Sequence, residues 1–253
     1  MKVRRIIVVI QKKGGVGKST LGFQVVTALV DGVACVIEVE NDHDTSKVFV
    51  NSNQLRGKMR AVKSKDFTNT LAEAIFDAAE NGGDIIINGH LNEIIDTLRN
   101  SSSYDELIFI CPFMSDRAQI ENITATVDAL KGYKVLVIGN SSSKEQFIFW
   151  NGSEKYGLPG VKVEYKKLPT VYIPKTEVFD LSSMLGETIT DTAVLARDYT
   201  PDQIRDYLIE KANGDREWFK TQFSRYHISV ACKNFIDNDL ADMKKAIEIL
   251  RDL

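Results

Sequence analysis

Short apolar runs rich in Val and Ile alternate along this chain with segments whose apolar positions recur at helical spacing. Runs that stay apolar, instead of alternating with polar residues, suit strands buried on both faces. The pattern therefore predicts an α/β fold: a mostly parallel sheet with helices on both faces. Arg5 to Ile10 reads as the first strand. After a glycine-rich turn, Leu21, Val25, Ala28 and Leu29 share one face of a helix. Val33 to Val39 reads as a second strand, Asn69 to Glu80 as a helix stopped by Gly82-Gly83, and Asp84 to Asn88 as a third strand. Leu107 to Phe113 and Val135 to Ile138 follow as strands. The helix between them carries Ile120, Ile123, Val127 and Leu130, with Ser115 or Asp116 as its cap. Val161 to Tyr165 and Thr170 to Ile173 add two further strands.

From about residue 190 to 253 the pattern turns helical. Thr200-Pro201-Asp202-Gln203 combines an N-cap, a proline at the first helical position and a capping-box partner. A second helix carries Phe219, Phe223 and Tyr226, and the last carries Leu240, Met243, Ile247 and Leu250. No repeat or linker interrupts the 253 residues, so a single domain, residues 1–253, is the simplest division.

Composition narrows the class. Hydrophobic residues at 43% and charged residues at 26% suit a globular domain, and a net charge of -3 excludes a chain coated in basic residues. Cys35, Cys111 and Cys232 are scattered and form no CxxC, which fits a reducing compartment without a disulfide or zinc framework. Ile6 to Ile10 is too short for a secretory core, and no other run approaches a membrane span. The expectation is a cytoplasmic protein with no membrane attachment.

The chemistry concentrates in Lys13-Gly14-Gly15-Val16-Gly17-Lys18-Ser19-Thr20, between the first strand and its helix. Glycines let backbone amides converge on phosphate oxygens with no Cβ in the way, and the helix start adds the positive end of its dipole. Gly14, Gly15, Val16 and Gly17 form the cradle. Lys18 is placed to reach the β- and γ-phosphates, Ser19 to ligate Mg2+, and Thr20 to support the α-phosphate side.

Lys12 stands where the common form of this loop has its first glycine, and Lys13 precedes the paired glycines. In this the loop resembles those of the ParA/MinD family of deviant P-loop ATPases, which read KGGxGK[ST]. The resemblance implies the P-loop NTPase three-layer fold, ATP and Mg2+ as cofactors, and a homodimer in the ATP state. It also implies that Lys13 reaches the partner subunit's phosphates, where a cation neutralises charge on the transferred group.

The family places Asp-x-Asp at the end of the second strand. Here Glu38 and Glu40 hold those positions, each one methylene longer, and alternation along a strand points both to one face. By resemblance Glu38 supports the metal and Glu40 positions water, with Asp42 and Asp44 as alternatives to Glu40. The strand Asp84 to Asn88 resembles the family's Walker B strand, except that Asn88 replaces its terminal aspartate. An asparagine offers a hydrogen bond to a metal-bound water but no charge. These departures point to slow or partner-stimulated hydrolysis.

Further matches come in order. Tyr104 to Ile110 is similar to a family strand, Asn140 sits where the family contacts adenine, and Thr170 to Lys175, with Pro174, resembles the segment lying against the base. The resemblance covers about three-quarters of the chain and implies a dimerising switch for plasmid or chromosome partitioning, served by a stimulating partner protein. An accessory ATPase of conjugative transfer, another cargo-positioning system, and an ATP-binding scaffold with little turnover are the alternatives. Nonspecific DNA binding would draw on Arg216, Lys220, Arg225, Lys233, Lys244 and Lys245, but acids including Asp215, Glu217, Asp237 and Asp239 interleave with them. A solvated mixed-charge surface is the other reading of that face. Neither the cluster cysteines of the nitrogenase iron protein nor the CxxC of the tail-anchored-protein targeting ATPase is present, and no tyrosine cluster ends the chain.

Overall fold

A computed structural model describes residues 5–11, 15–39, 45–101, 107–114, 116–140 and 147–252. Seven strands form one sheet in the order β3-β2-β4-β1-β5-β6-β7. They are β1 (Ile6–Gln11), β2 (Val33–Val39), β3 (Met59–Val62), β4 (Asp84–His90), β5 (Leu107–Phe113), β6 (Lys134–Asn140) and β7 (Thr170–Ile173). Every pairing is parallel. β1 and β5 are buried along their whole length, as strands covered on both faces must be.

The two-residue period of β1 divides the core. Ile6, Val8 and Ile10 pack with the helices Phe67–Asn81, Leu91–Ser101 and Arg117–Ala129 on one face. Ile7 and Val9 pack on the other face with the helical stretch over residues 18–29 and with Ile189, Ala193, Met243 and Ile247 from the C-terminal helices. The C-terminal helices Pro201–Ala212 and Arg216–Asn234 add a smaller cluster around Ile204, Leu208 and Tyr226. The sheet with helices on both faces and the helical C-terminal portion are as the sequence predicts.

Local signals act as expected at several boundaries. Asp116 caps its helix by accepting from the Gln119 amide at 2.9 Å; Ser115, the other candidate, lies outside the described residues. Thr200 and Gln203 form a reciprocal capping box, with Pro201 inside the first turn.

Some elements differ from the expectation. Residues 161–165 do not form a strand; a short helix, Val163–Lys166, takes their place. β7 takes the place beside β6 in the sheet. Val161 and Tyr165 are buried while Val163 is 70% exposed, a four-residue recurrence that suits a helical turn. Tyr165 anchors that turn by donating its hydroxyl to the Asp128 carboxylate at 2.9 and 3.0 Å. In addition, the four-residue edge strand β3 and the helix Leu91–Ser101 were not expected. β3 is only partly buried, so it lacks an apolar run.

Candidate functional site

β1 lies at the centre of the sheet, between β4 and β5, and the chain crosses from one side of it to the other between those two strands. In parallel α/β sheets such a reversal opens a crevice at the carboxyl ends of the strands, where ligands bind. The glycine-rich loop leaves β1 at this point.

Within the loop, Gly15 and Gly17 adopt φ of 76° and 82°, left-handed conformations that favour glycine. The Gly17 carbonyl accepts from the Leu21 amide at 2.9 Å and so starts the helix. Lys18 begins the helical stretch and is 8% exposed, with Ser19 and Thr20 half-buried beside it. Gly15, Val16, Gly17, Lys18, Ser19 and Thr20 thus form a left-handed turn feeding a helix N-terminus. Lys12, Lys13 and Gly14 lie outside the described residues, as do Glu40, Asp42 and Asp44.

The acidic side of the crevice is formed by β2 and β4. Glu38 and Asn88 are register partners across these strands, 2% and 3% exposed. Asn88 Nδ2 donates to Ser19 Oγ at 3.0 Å and to Glu38 Oε1 at 3.4 Å. Asn88 Oδ1 is buried with no hydrogen-bond partner. Gly22 of the loop helix lies beside this pair, where a Cβ would make an ordinary van der Waals contact, 3.6 Å, with Asn88 Cβ. Ser19, Glu38 and Asn88, which are far apart in sequence, are therefore gathered at one point.

A hydroxyl, a carboxylate and an unpartnered carbonyl oxygen make an all-oxygen set. Hard divalent cations that retain several waters take such ligands, so these residues fit Mg2+. Among the described residues no group of three or more His, Cys, Asp or Glu is arranged to hold a metal.

At the other side of the loop, Asn140 is 8% exposed and its Nδ2 donates to the Val16 carbonyl at 3.0 Å. A Cβ at Gly17 would lie 2.2 Å from that nitrogen. Asn140 pairs in register with Ile173 of β7, and Pro174 follows directly. The structure thus brings Asn140 and Pro174 to the same end of the sheet and adds a contact the sequence did not disclose, from Asn140 to the loop.

A second polar network was also illegible in the sequence. Gln24, on the loop helix, accepts from the Ile189 amide at 2.7 Å and donates to Ser183 Oγ at 3.1 Å. Gln54 donates to the Thr27 carbonyl at 2.6 Å and accepts from Thr188 Oγ1 at 3.0 Å. The Asp191 carboxylate accepts from Ser52 Oγ at 2.5 Å, from the amides of Asn53 and Gln54 at 3.1 Å each, and from Thr188 Oγ1 at 2.8 Å. The loop helix, the segment 52–54 and the start of the helix Ile189–Asp198 are thereby tied together. The capping box Thr188-x-x-Asp191 was the one local signal in this network.

On the C-terminal helices, Lys220 pairs with Glu217 at 2.8 Å, Lys233 with Asp237 at 2.9 Å, and Arg225 with Glu187. Arg216, Lys244 and Lys245 are exposed. Half of the six basic residues are thus partly neutralised by acids. No helix among the described residues is long and apolar enough to cross a membrane.

Residues 5–131 match the family model described as ATPase MipZ. No curated protein matches the chain. Among solved structures, the chain is similar to the MinC:MinD cell division protein complex of Aquifex aeolicus (TM-score 0.49, 16% identity, covering 73% of this chain and 87% of that one). It is also similar to a complex of a McdA variant from Cyanothece with ATP (TM-score 0.45, 13% identity, 75% and 90% covered). A third is the septum site-determining protein MinD of Pyrococcus horikoshii with Mg-ADP (TM-score 0.41, 16% identity, 73% and 87% covered).

Proposed function

The chain belongs to the MipZ ATPase family, within the ParA/MinD group of P-loop ATPases, and on that premise we propose that it is an ATP-dependent dimerising switch that positions DNA. The observation that carries the nucleotide reading is the loop itself. Left-handed Gly15 and Gly17 lead into a helix start at Lys18, and Ser19 accepts from the buried Asn88 amide, which also donates to the Glu38 carboxylate. Backbone amides and the helix dipole favour bound phosphate at such a terminus.

In this reading Gly14 to Thr20 cradle the phosphates and Lys18 balances the β- and γ-charges. Ser19, Glu38 and Asn88 hold Mg2+, which when bound neutralises phosphate charge. Lys13 acts across the dimer, and Glu40 positions the attacking water. Asn140 and Pro174 border the base. The whole chain, 1–253, acts as one ATPase unit in the cytoplasm, and a partner protein stimulates slow turnover. ATP favours the dimer and hydrolysis releases it, because the two states bind the γ-phosphate differently.

A scaffold reading, with ATP bound and little turned over, is favoured by one observation: an uncharged Asn88 near the end of β4. Accessory roles in conjugative transfer or other cargo positioning share the same switch and differ in cargo.

The decisive experiment is ATPase activity of wild type and Glu40→Ala, with and without DNA, beside sedimentation with and without ATP. DNA-stimulated turnover lost in the variant, with an ATP-dependent dimer, supports the partitioning switch. Tight ATP binding without turnover in any condition supports the scaffold. ATP-dependent DNA retention that weakens as salt rises marks DNA as the cargo, and its absence removes DNA from the reading.

A further inference from the structure

We propose that the outer edge of the sheet, where residues 56–65 carry β3, holds duplex DNA by its phosphates, and that this edge rather than the C-terminal helices is the DNA face. This rests on the reading above that DNA is the cargo and concerns which surface meets it.

Segregation of charge is the first argument. Arg56, Lys58, Arg60, Lys63 and Lys65 place five cations in ten residues, and no Asp or Glu occurs from residue 45 to 65. The chain as a whole carries -3, so the remainder carries -8. A segment so different in sign from the rest attracts a polyanion. On the C-terminal helices, by contrast, Lys220, Lys233 and Arg225 already meet acids.

Placement is the second argument. Arg56, Lys63 and Lys65 are exposed and Lys58 is half-buried. Arg60, the one cation on β3 itself, is held by Glu73 at 2.7 Å and Asp77 at 2.6 Å. The other four form no ion pair among the described residues. β3 pairs with β2 alone, and cations that merely guarded its open edge against another strand would sit on the strand. These four lie beyond its two ends, Arg56 and Lys58 before Met59, Lys63 and Lys65 after Val62. Both flanks are fixed. The Lys58 amide donates to the Leu55 carbonyl at 3.0 Å, the Val36 amide to the Lys58 carbonyl at 2.9 Å, and the Asp66 amide to the Lys63 carbonyl at 2.9 Å. Cations displayed on a fixed backbone lose less freedom on binding.

The chemistry of the strip selects its occupant. At the rise of a strand, Lys58 and Lys63 stand roughly 16 Å apart, a span along which a duplex presents a phosphate about every 1.7 Å. No aromatic residue lies in residues 56–65 to stack an unpaired base. Met59 and Val62 pack against the core instead of facing a bilayer. The phosphates of a duplex are the polyanion that cations alone can hold.

Anisotropy of a fluorescent duplex of random sequence, titrated with the full chain and a non-hydrolysable ATP analogue across a salt series, tests this. The variant Arg56→Gln/Lys58→Gln/Lys63→Gln/Lys65→Gln should bind at least tenfold more weakly. Its slope of log affinity against log salt should shrink by about three to four. The matched variant Arg216→Gln/Lys220→Gln/Lys244→Gln/Lys245→Gln removes the same charge from the C-terminal helices and should bind within threefold of wild type. Wild-type affinity in the edge variant overturns the proposal, as does an equal loss in the C-terminal variant. Phosphatidylserine vesicles or polyglutamate held more tightly than the duplex through the same four residues overturn DNA as the occupant. If the four-site variant does not fold, Lys63→Glu/Lys65→Glu, at exposed positions beyond the strand, decides by the same loss or its absence. Wild-type protein that binds no duplex even at low salt overturns DNA as the cargo, whereas duplex binding that ignores the edge variant overturns this proposal alone.

Discussion

Asn140 Nδ2 reaches over the bare Cα of Gly17 to donate to the Val16 carbonyl at 3.0 Å, which locks the end of β6 onto the glycine-rich loop. The contact exists because position 17 has no side chain.

Gly17→Ala should therefore weaken nucleotide binding by at least tenfold. Its Cβ would lie 2.2 Å from Asn140 Nδ2 and would hold alanine at φ 82°. Adding Asn140→Ala relieves the clash but leaves the backbone strain, so the double variant should recover only part of the affinity. Fluorescent-nucleotide titration of the two variants checks the order; full recovery would show that strain at residue 17 is negligible.

Asp191→Ala removes the acceptor shared by Ser52, Thr188 and the amides of Asn53 and Gln54. Hydrogen bonds to a charged group contribute more than neutral ones, so destabilisation by about 3 kcal/mol is expected in urea unfolding. Amide exchange should rise in residues 51–55 and at the start of the helix Ile189–Asp198 together. Exchange confined to one segment would show that the carboxylate does not join them.

Gly139→Ala places a methyl 2.5 Å from Tyr172 Cδ1 and 3.0 Å from Phe147 Cε2. The Tyr172 ring cannot swing freely, because its hydroxyl donates to Asn151 Oδ1 at 2.8 Å. A loss of about 1–3 kcal/mol is expected from such overpacking. Trimming the ring, Gly139→Ala/Tyr172→Leu, should return part of it in thermal unfolding.

Burial pushes the Cys35 thiol up from 9.0 to about 11, with Arg60 opposing the shift, and raises Cys111 further. Both thiols stay protonated in the folded chain at pH values where the unfolded chain ionises. The Cys35 contribution is therefore complete below pH 9 and falls as pH rises from 9 through about 11, and that of Cys111 persists to higher pH. A disulfide reagent at pH 8 should leave Cys35 and Cys111 unmodified until urea unfolds the protein; rapid native labelling of either would contradict their burial.

Much of the sheet was legible because parallel strands buried on both faces leave unbroken apolar runs. The expected run Val33 to Val39 coincides with β2, and Leu107 to Phe113 with β5. Met59–Val62 was not legible, since an edge strand has a single neighbour and little need for apolar residues. Residues 161–165 misled because alternating Val, Val and Tyr satisfy a strand period, while the same Val161 and Tyr165 also satisfy one helical turn.

The glycine-rich loop could be located from the sequence alone, because loop chemistry is local: glycine, lysine and hydroxyl positions are fixed by their spacing along a few residues. The sequence also named Glu38, Asn88 and Asn140 as separate candidates. Only the tertiary structure decided their relations. Glu38 meets Asn88 through strand register, and Asn140 meets Val16 across 124 residues of chain. Strand order and register arise from packing summed over the whole core. No short window of residues encodes them, so partners across the sheet appear only when the sheet is formed.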